Sequence, residues 1–389
     1  MKILILTGYF FPEEFLINDL AQEWVRQGHQ VEVLAQVPSY PHDRIFPGYR
    51  NRFYQTTREF HDIPVHRVKT RLGYNRSPLR KIWNYISFAF LTCCWALFSG
   101  WRYDRIYTYQ IGPLTVGAAA LLFHFLWWKK CVIWTQDLWP DTVYSYGVKK
   151  TKIREAFLAV LVRFLYWPYS VITISCPGFA ERLKHYTHRK VVFTPQWTTQ
   201  NEPLPPRVEA KQRIFTFAGT VGSVQNLDRM VEVFGHEKIK NAVLQIVGDG
   251  IFLEKLRNIV AEKHITNILL PGRRPQSEMP KLFTNSNVLI ISLKSEFNMT
   301  IPAKFQAYIA AGRPILCLAA GDIADLVRKY DLGIVANPDD DASIADAFHK
   351  MANCPISDFE RWRKNALALS NDKFNRERII AEISQLLID

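Results

Sequence analysis

Short apolar runs alternate with amphipathic stretches along nearly the whole chain, and the pattern occurs twice. Residues 3–6, 31–34, 65–68, 105–109, 132–135, 170–174 and 190–193 read as strands in the first half. Residues 214–218, 242–247, 268–270, 288–291, 314–318 and 333–335 read as strands in the second. The connecting helices of the second half fall near 226–234, 251–263, 278–284, 303–311, 321–329 and 341–351. Runs such as ILIL and VLIIS show no polar alternation, so these strands are covered on both faces, as in a parallel sheet flanked by helices. The expected fold class is α/β: two Rossmann-type doubly wound domains facing a cleft, with ligands at the carboxyl ends of the strands. The pattern predicts domains over 1–195 and 212–370, a linker at 196–211, and a C-terminal helix in 371–389 that crosses back to the first domain. Four prolines in 195–211 mark the linker.

The chain has 389 residues, 48 % hydrophobic and 22 % charged, which excludes a disordered protein. Six cysteines form neither a CxxC pair nor a zinc spacing, which fits a reducing compartment. Lys2 precedes only four apolar residues before Thr7 and Gly8, so the start reads as an opening strand rather than a secretory leader. The net charge of +13 is lopsided: residues 1–200 hold 25 Lys and Arg against 13 Asp and Glu, while 201–389 hold 24 against 23. Within 44–81 stand ten basic residues and two acidic ones. Such a field seeks phosphates in lipid headgroups, nucleic acid or a pyrophosphate substrate; a solvated basic surface is the plain alternative.

Beside it, 82–101 is a run of 20 residues without a formal charge, flanked by Lys81 and Arg102. Three readings stand: a helix buried against a sheet, a helix lying in the membrane interface, or a span. Asn84, Ser87, Thr92 and Ser99 count against the span. Arg76, Arg80, Lys81, Trp83 and Trp95 are the candidate membrane and acceptor contacts.

The candidate chemistry sits in turns after strands. Gly219 and Gly222 follow the first strand of the second half and precede a helix, where backbone N–H groups and the helix dipole suit a phosphate. Asp249 lies in a Gly-Asp-Gly turn, and Arg273 and Arg274 follow another strand, with Ser277 as a helix cap. Glu296, Asn298 and Thr300 lead into a helix beginning near Pro302, with Thr300 as its cap. Lys304 stands in that first turn, where a cation opposes the helix dipole unless an anion lies between them. Gly8 ends the opening strand, and Asp137 emerges at a strand's carboxyl end, where a carboxylate orients a hydroxyl or holds a turn.

Taken in order, the opening strand with its glycine turn, Gly28-His29, Asp137-Leu-Trp-Pro-Asp, Gly248-Asp-Gly, Gly272-Arg and Pro302 through Ala-Ala-Gly312-Arg-Pro resemble the family 4 glycosyltransferases of GT-B architecture. The likeness covers nearly the whole chain and is strongest to the branch that builds O-antigen and capsule units, such as fucosamine (FucNAc) transferases. The resemblance implies a nucleotide-sugar donor, commonly UDP-linked, in the second domain. Its diphosphate would lie near Gly219, Gly222, Arg273 and Lys304, with Gly8 near the sugar-phosphate. It implies a lipid-pyrophosphate acceptor in the first domain, retention of anomeric configuration, no metal and no nucleic acid partner. It also implies a cytoplasmic enzyme peripherally bound to the inner face of the membrane. Two features depart from the family. The usual glutamate pair falls on Met299 and Ala307, with Glu296 or Gln306 as substitutes. The usual Arg and Lys of the first glycine loop are replaced by Thr220, Ser223 and Gln225. Two other readings keep their place: a UDP-sugar 2-epimerase of the same fold, and a non-catalytic protein of membrane surfaces or nucleic acid.

Overall fold

The computed structural model of the protein is described for every residue except Asn75, 146–148, 199–203, 206–211, Lys238 and Lys240. Most of the predicted linker therefore lies outside the described residues. The chain forms two compact units, Met1–Pro195 with Ile379–Asp389, and Gln196–Arg378.

The first unit holds eight strands: β1 (Lys2–Thr7), β2 (Gln30–Gln36), β3 (Tyr54–Thr57), β4 (Val65–Val68), β5 (Arg105–Gln110), β6 (Lys130–Thr135), β7 (Tyr169–Ile174) and β8 (Lys190–Phe193). They lie in the order β3-β4-β2-β1-β5-β6-β7-β8. Every neighbouring pair is parallel except β3 with β4. β1 runs down the middle, with Ile3 to Leu6 fully buried, so its unbroken apolar run is what a central parallel strand needs. β3 was not expected: YQTT is an antiparallel edge strand with an exposed side, and its polar residues carry no buried-strand signature.

Helices α1 (Leu16–Arg26), α2 (Pro78–Ser99), α3 (Ala119–Trp127), α4 (Asp141–Ser145), α5 (Lys152–Tyr166) and α6 (Phe179–Leu183) connect the strands. At the amino end of the sheet, Glu32 ties three elements together. It accepts from Lys2 Nζ at 2.8 Å, His66 Nε2 at 2.8 Å and the Tyr103 hydroxyl at 2.5 Å. Burial pushes this carboxyl up, but those donors hold it well below the usual carboxylate range.

The second unit is a six-stranded parallel sheet in the order β11-β10-β9-β12-β13-β14. The strands are β9 (Arg213–Ala218), β10 (Ala242–Val247), β11 (Ile268–Gly272), β12 (Val288–Ser292), β13 (Ile315–Leu318) and β14 (Gly333–Ala336). The strand order reverses beside β9, so ligands are expected near its carboxyl end. Its helices are α7 (Leu227–His236), α8 (Leu253–Glu262), α9 (Met279–Asn285), α10 (Lys304–Ala310), α11 (Asp322–Lys329), α12 (Asp341–Asn353) and α13 (Ile356–Asp372). Phe215, Phe234 and Phe348 form an aromatic core with ring centroids 5.0 to 6.3 Å apart.

The last helix, α14 (Arg376–Ile388), ends in the first unit. Ile379, Ile380, Ile383 and Leu387 are buried there. Trp24 Nε1 donates to Ser384 Oγ at 2.8 Å, and Arg105 donates to the carbonyl of Leu387 at 3.0 Å.

Candidate active site

In the second unit the site is built where β9 and β10 end. Gly219 has φ +143°, a conformation that favours glycine, and its N–H donates to Val247 at 2.9 Å. Gly248 lies so close that a Cβ there would come 1.8 Å from the Gly219 carbonyl oxygen. The two glycine turns are therefore packed backbone on backbone, further bound by Val221 N–H donating to Asp249 at 2.9 Å. The helix after the turn does not start at Gly222: a 3₁₀ turn, Ser223–Gln225, and left-handed Asn226 come first, and Gln225 Oε1 accepts from Gly222 N–H at 3.1 Å.

Lys304 opens α10 and lies on this same turn. Its Nζ is 3.4 Å from the centroid of the Phe217 ring, and a Cβ on Gly219 would be 2.9 Å from it. Two sequence motifs 85 positions apart are thus one site. The residue is half-buried, with its ammonium drawn onto an aromatic face. Burial pulls its pKa from 10.5 down to about 7, and among the described residues no charged partner contributes. A cation held without a counter-charge at a glycine turn is prepared for an anion.

Asp249, Arg273, Arg274, Glu296 and Asn298 are exposed, and Thr300 is half-buried. Arg274 Nη1 lies 4.0 Å from Glu278. The Asn298 carbonyl accepts from Asp322 N–H at 2.8 Å, which anchors the loop after β12. Three expectations are corrected. Gln306 is buried, with its amide against the carbonyls of Pro302 and Ala303 at its own helix start, so it is not presented to a ribose. Thr300 does not cap α10, because Ala303 occupies that place with helical backbone angles. Ser277 lies inside a 3₁₀ turn, and Glu278 precedes α9 in its stead.

In the first unit, the carboxyl ends of β1, β2 and β5 surround a pocket lined by Gly8, Tyr9, Gln36, Tyr85, Phe88, Pro113 and Thr115, among others. Space beside Gly8 is open. Tyr85 and Phe88 come from the inner face of α2, so this helix forms one wall. Asp137 holds the neighbouring turn: its Oδ2 accepts from Gly112 N–H at 2.6 Å, and Gln110 Nε2 donates to its carbonyl at 2.9 Å. Burial raises the Asp137 carboxyl pKa, opposed by that N–H and by Lys81. Its observed work is to shape the turn.

Glu13 is a buried carboxylate that sequence reasoning did not assign to the site; it accepts from Phe10, Ser39 and Tyr40 N–H at 3.3, 3.0 and 2.8 Å. Burial pushes it up to about 7, against those three donors and nearby Arg67. Arg67 itself is not part of any surface field. It is fully buried, donating to Thr57 Oγ1 and to the carbonyls of Gln36 and Phe11 at 3.1, 3.2 and 2.5 Å. Phe217 was also missed; its place two residues before Gly219 on an alternating strand was the available signal.

α2 has two faces. Asn84, Phe88, Leu91, Thr92 and Ala96 are buried against the sheet. Leu79, Trp83, Ile86, Phe90, Leu97 and Trp101 are exposed along the other side. Arg76, Arg80 and Lys81 are exposed at its start. Trp95 is corrected: it turns inward, its ring 4.9 Å from His66 and 5.9 Å from Tyr103. Residues Pro78–Arg102 are long and apolar enough to cross a bilayer, but the helix packs one face on its own sheet. Among the described residues no cluster of His, Cys, Asp and Glu is placed to hold a metal.

Comparison with known proteins follows this geometry. A family model for glycosyl transferases group 1 matches residues 199–368, and one for a glycosyl transferase 4-like domain matches residues 16–197. The probable glycosyltransferase WbjE of Pseudomonas aeruginosa is 23 % identical over 244 residues, 59 % of this chain and 61 % of WbjE's own length. The putative colanic acid biosynthesis glycosyl transferase WcaI of Escherichia coli (strain K12) is 22 % identical over 336 residues, 80 % of this chain and 82 % of that protein. Among solved structures, Anabaena Alr3699/HepE in complex with UDP and glucose superposes with a TM-score of 0.69 at 15 % identity, covering 100 % of this chain and 99 % of that one. That last likeness is one of fold.

Proposed function

Because the chain belongs to the family 4 GT-B glycosyltransferases, carrying a 4-like and a group 1 domain, we propose that it moves a sugar from a UDP-sugar to a lipid-pyrophosphate-linked saccharide in surface polysaccharide synthesis. N-acetyl-L-fucosamine is the first donor sugar to try. The observation that carries the reading is Lys304 Nζ on the Gly219 turn. The donor diphosphate binds there, and it is neutralised by the ammonium and by Arg273 and Arg274 in place of a metal. Asp249, Glu296, Asn298 and Thr300 line the nucleotide. The name of WcaI and the UDP bound to HepE support the donor class and the pathway type.

The acceptor sugar docks over the carboxyl ends of β1, β2 and β5 beside Gly8, outside a pocket whose own space is only about 10 Å³, with Asp137 positioning the Gly112 turn at its edge. Transfer retains the anomeric configuration. The bond from the anomeric carbon to the diphosphate oxygen breaks, the acceptor hydroxyl oxygen bonds to that carbon from the same face, and its proton passes to the leaving diphosphate. The exposed side of α2, with Arg76, Arg80, Lys81 and Trp83, rests on the inner face of the membrane where a polyprenyl acceptor is anchored. The test incubates the full chain with a panel of UDP-sugars and polyprenyl-pyrophosphate-linked saccharide in vesicles. UDP release that depends on acceptor, with an extended lipid-linked product, is expected. No transfer with any donor overturns the proposal, and epimer formation without acceptor replaces it with the epimerase reading.

A further inference from the structure

α5 carries a surface that the site does not use. Ile153, Phe157, Val160, Phe164 and Trp167 are between 48 and 84 % exposed. At about 100° per residue these five side chains fall within an arc of roughly 80°. The opposite face holds buried Val162, Leu165 and Tyr166. A soluble helix places polar residues where this one places three aromatic rings and two branched aliphatics. Exposed Lys152 and Arg163 border the stripe on one side and exposed Arg154 on the other, whereas Glu155 points away from it.

The stripe is continued by its neighbours within the first unit. The Trp167 ring meets Phe125 of α3 edge-on at 5.5 Å. Beyond Phe125, Leu126 is exposed, and left-handed Trp128 presents 86 % of its surface to solvent. α3 is bound in turn to α2, Trp127 Nε1 donating to the carbonyl of Ala96 at 3.2 Å. Phe125 and Trp167 thus join the exposed apolar side chains of α3 and α5, while α3 is tied to α2 through a contact on buried Ala96.

We propose that α5, with the end of α3, is a second lipid-inserting ridge, and that it seats the first unit in an anionic bilayer alongside α2. The occupant is argued from charge: an apolar stripe with cations on both shoulders matches acyl chains below phosphate headgroups, where Lys152, Arg154 and Arg163 reach up to the phosphates. The inference extends the membrane reading given above and rests on it.

The test is co-sedimentation of the full chain with phosphatidylcholine vesicles, with and without phosphatidylglycerol. Phe157→Glu with Phe164→Glu tests α5, and Leu79→Glu with Phe90→Glu tests α2. The α5 pair is expected to lower partitioning by about tenfold or more and to add to the α2 pair, since each glutamate must enter the interface. UDP-induced thermal stabilisation stays as in the wild type. Lys152→Gln with Arg154→Gln, which leaves the apolar stripe intact, weakens binding to the anionic vesicles alone and in a salt-sensitive way. If the α5 pair partitions like the wild type while the α2 pair does not, the second ridge is overturned and the membrane reading stands. If the wild type fails to partition at all, both fall. A change in elution mass of the α5 pair with unaltered vesicle binding assigns the stripe to a second copy of the chain and overturns the proposal.

Discussion

Lys304 is held by a ring face and a glycine turn with no carboxylate among the described residues to balance it, and this has consequences that can be measured. Removing the ammonium in Lys304→Ala is expected to lower turnover by about two or more orders of magnitude, the range for a preorganised donor at a developing charge. The fold should persist, since the substitution also relieves the burden of burying the ammonium. Near-normal turnover would withdraw the assignment. The lowered pKa sets a second expectation. The folded lysine titrates at about 7 and the unfolded one at about 10.5. Between these values the unfolded chain binds the extra proton, so the burden of burying the ammonium is full below pH 7 and is relieved as pH rises toward 10.5. Stability relative to Lys304→Met should rise over that window. UDP, which prefers the charged form, should take up a proton on binding near pH 8, read by calorimetry in buffers of different ionisation enthalpy. Trp95 tests the opposite kind of claim. Because its ring packs inward on His66 and Tyr103, Trp95→Ala should destabilise the fold by on the order of 2–4 kcal/mol and leave the intrinsic vesicle affinity of the folded protein unchanged.

At the scale of elements, α2 joins two tasks on one rod. Its inner face supplies Tyr85 and Phe88 to the pocket beside Gly8, and its outer face is apolar with cations at the amino end. Replacing Arg76, Arg80 and Lys81 together by serine should weaken vesicle binding in a salt-sensitive manner, each charge contributing about 1 kcal/mol near an anionic surface. Unchanged partitioning would refute the electrostatic part. The two glycine turns after β9 and β10 work as a pair. Gly248→Ala forces a methyl group onto the Gly219 carbonyl, so it should displace the donor turn and abolish UDP-induced stabilisation without touching the diphosphate itself.

At the scale of the whole molecule, the last residues complete the first unit. A chain ending before Arg376 loses four buried side chains, Ile379, Ile380, Ile383 and Leu387, and uncovers Trp24. The expected loss is on the order of 5 kcal/mol or more in the first unit, visible as a lower unfolding transition or insoluble protein. A truncated chain as stable as the full one would deny the helix that role. The charge excess is also distributed at this scale, with nearly all of it in residues 1–200, the half that bears the apolar helices.

The alternation of strands and helices settled the α/β class, the parallel strands and most element positions, because buried strands and amphipathic helices have periods that neighbouring residues report. The turns that carry Gly8, Asp137, Gly219 and Asp249 were legible for the same reason, each being the end of an apolar strand. Sequence could not decide which way α2 and α5 face, because helices apolar nearly all round carry no directional signal. For that reason Trp95 was expected outside, and the exposed stripe of α5 passed unnoticed. Nor could it join Lys304 to Phe217 and Gly219, turn Gln306 inward, or bury Arg67. Those arrangements depend on contacts between distant segments, where shape and unsatisfied hydrogen bonds, rather than local periodicity, choose the partner.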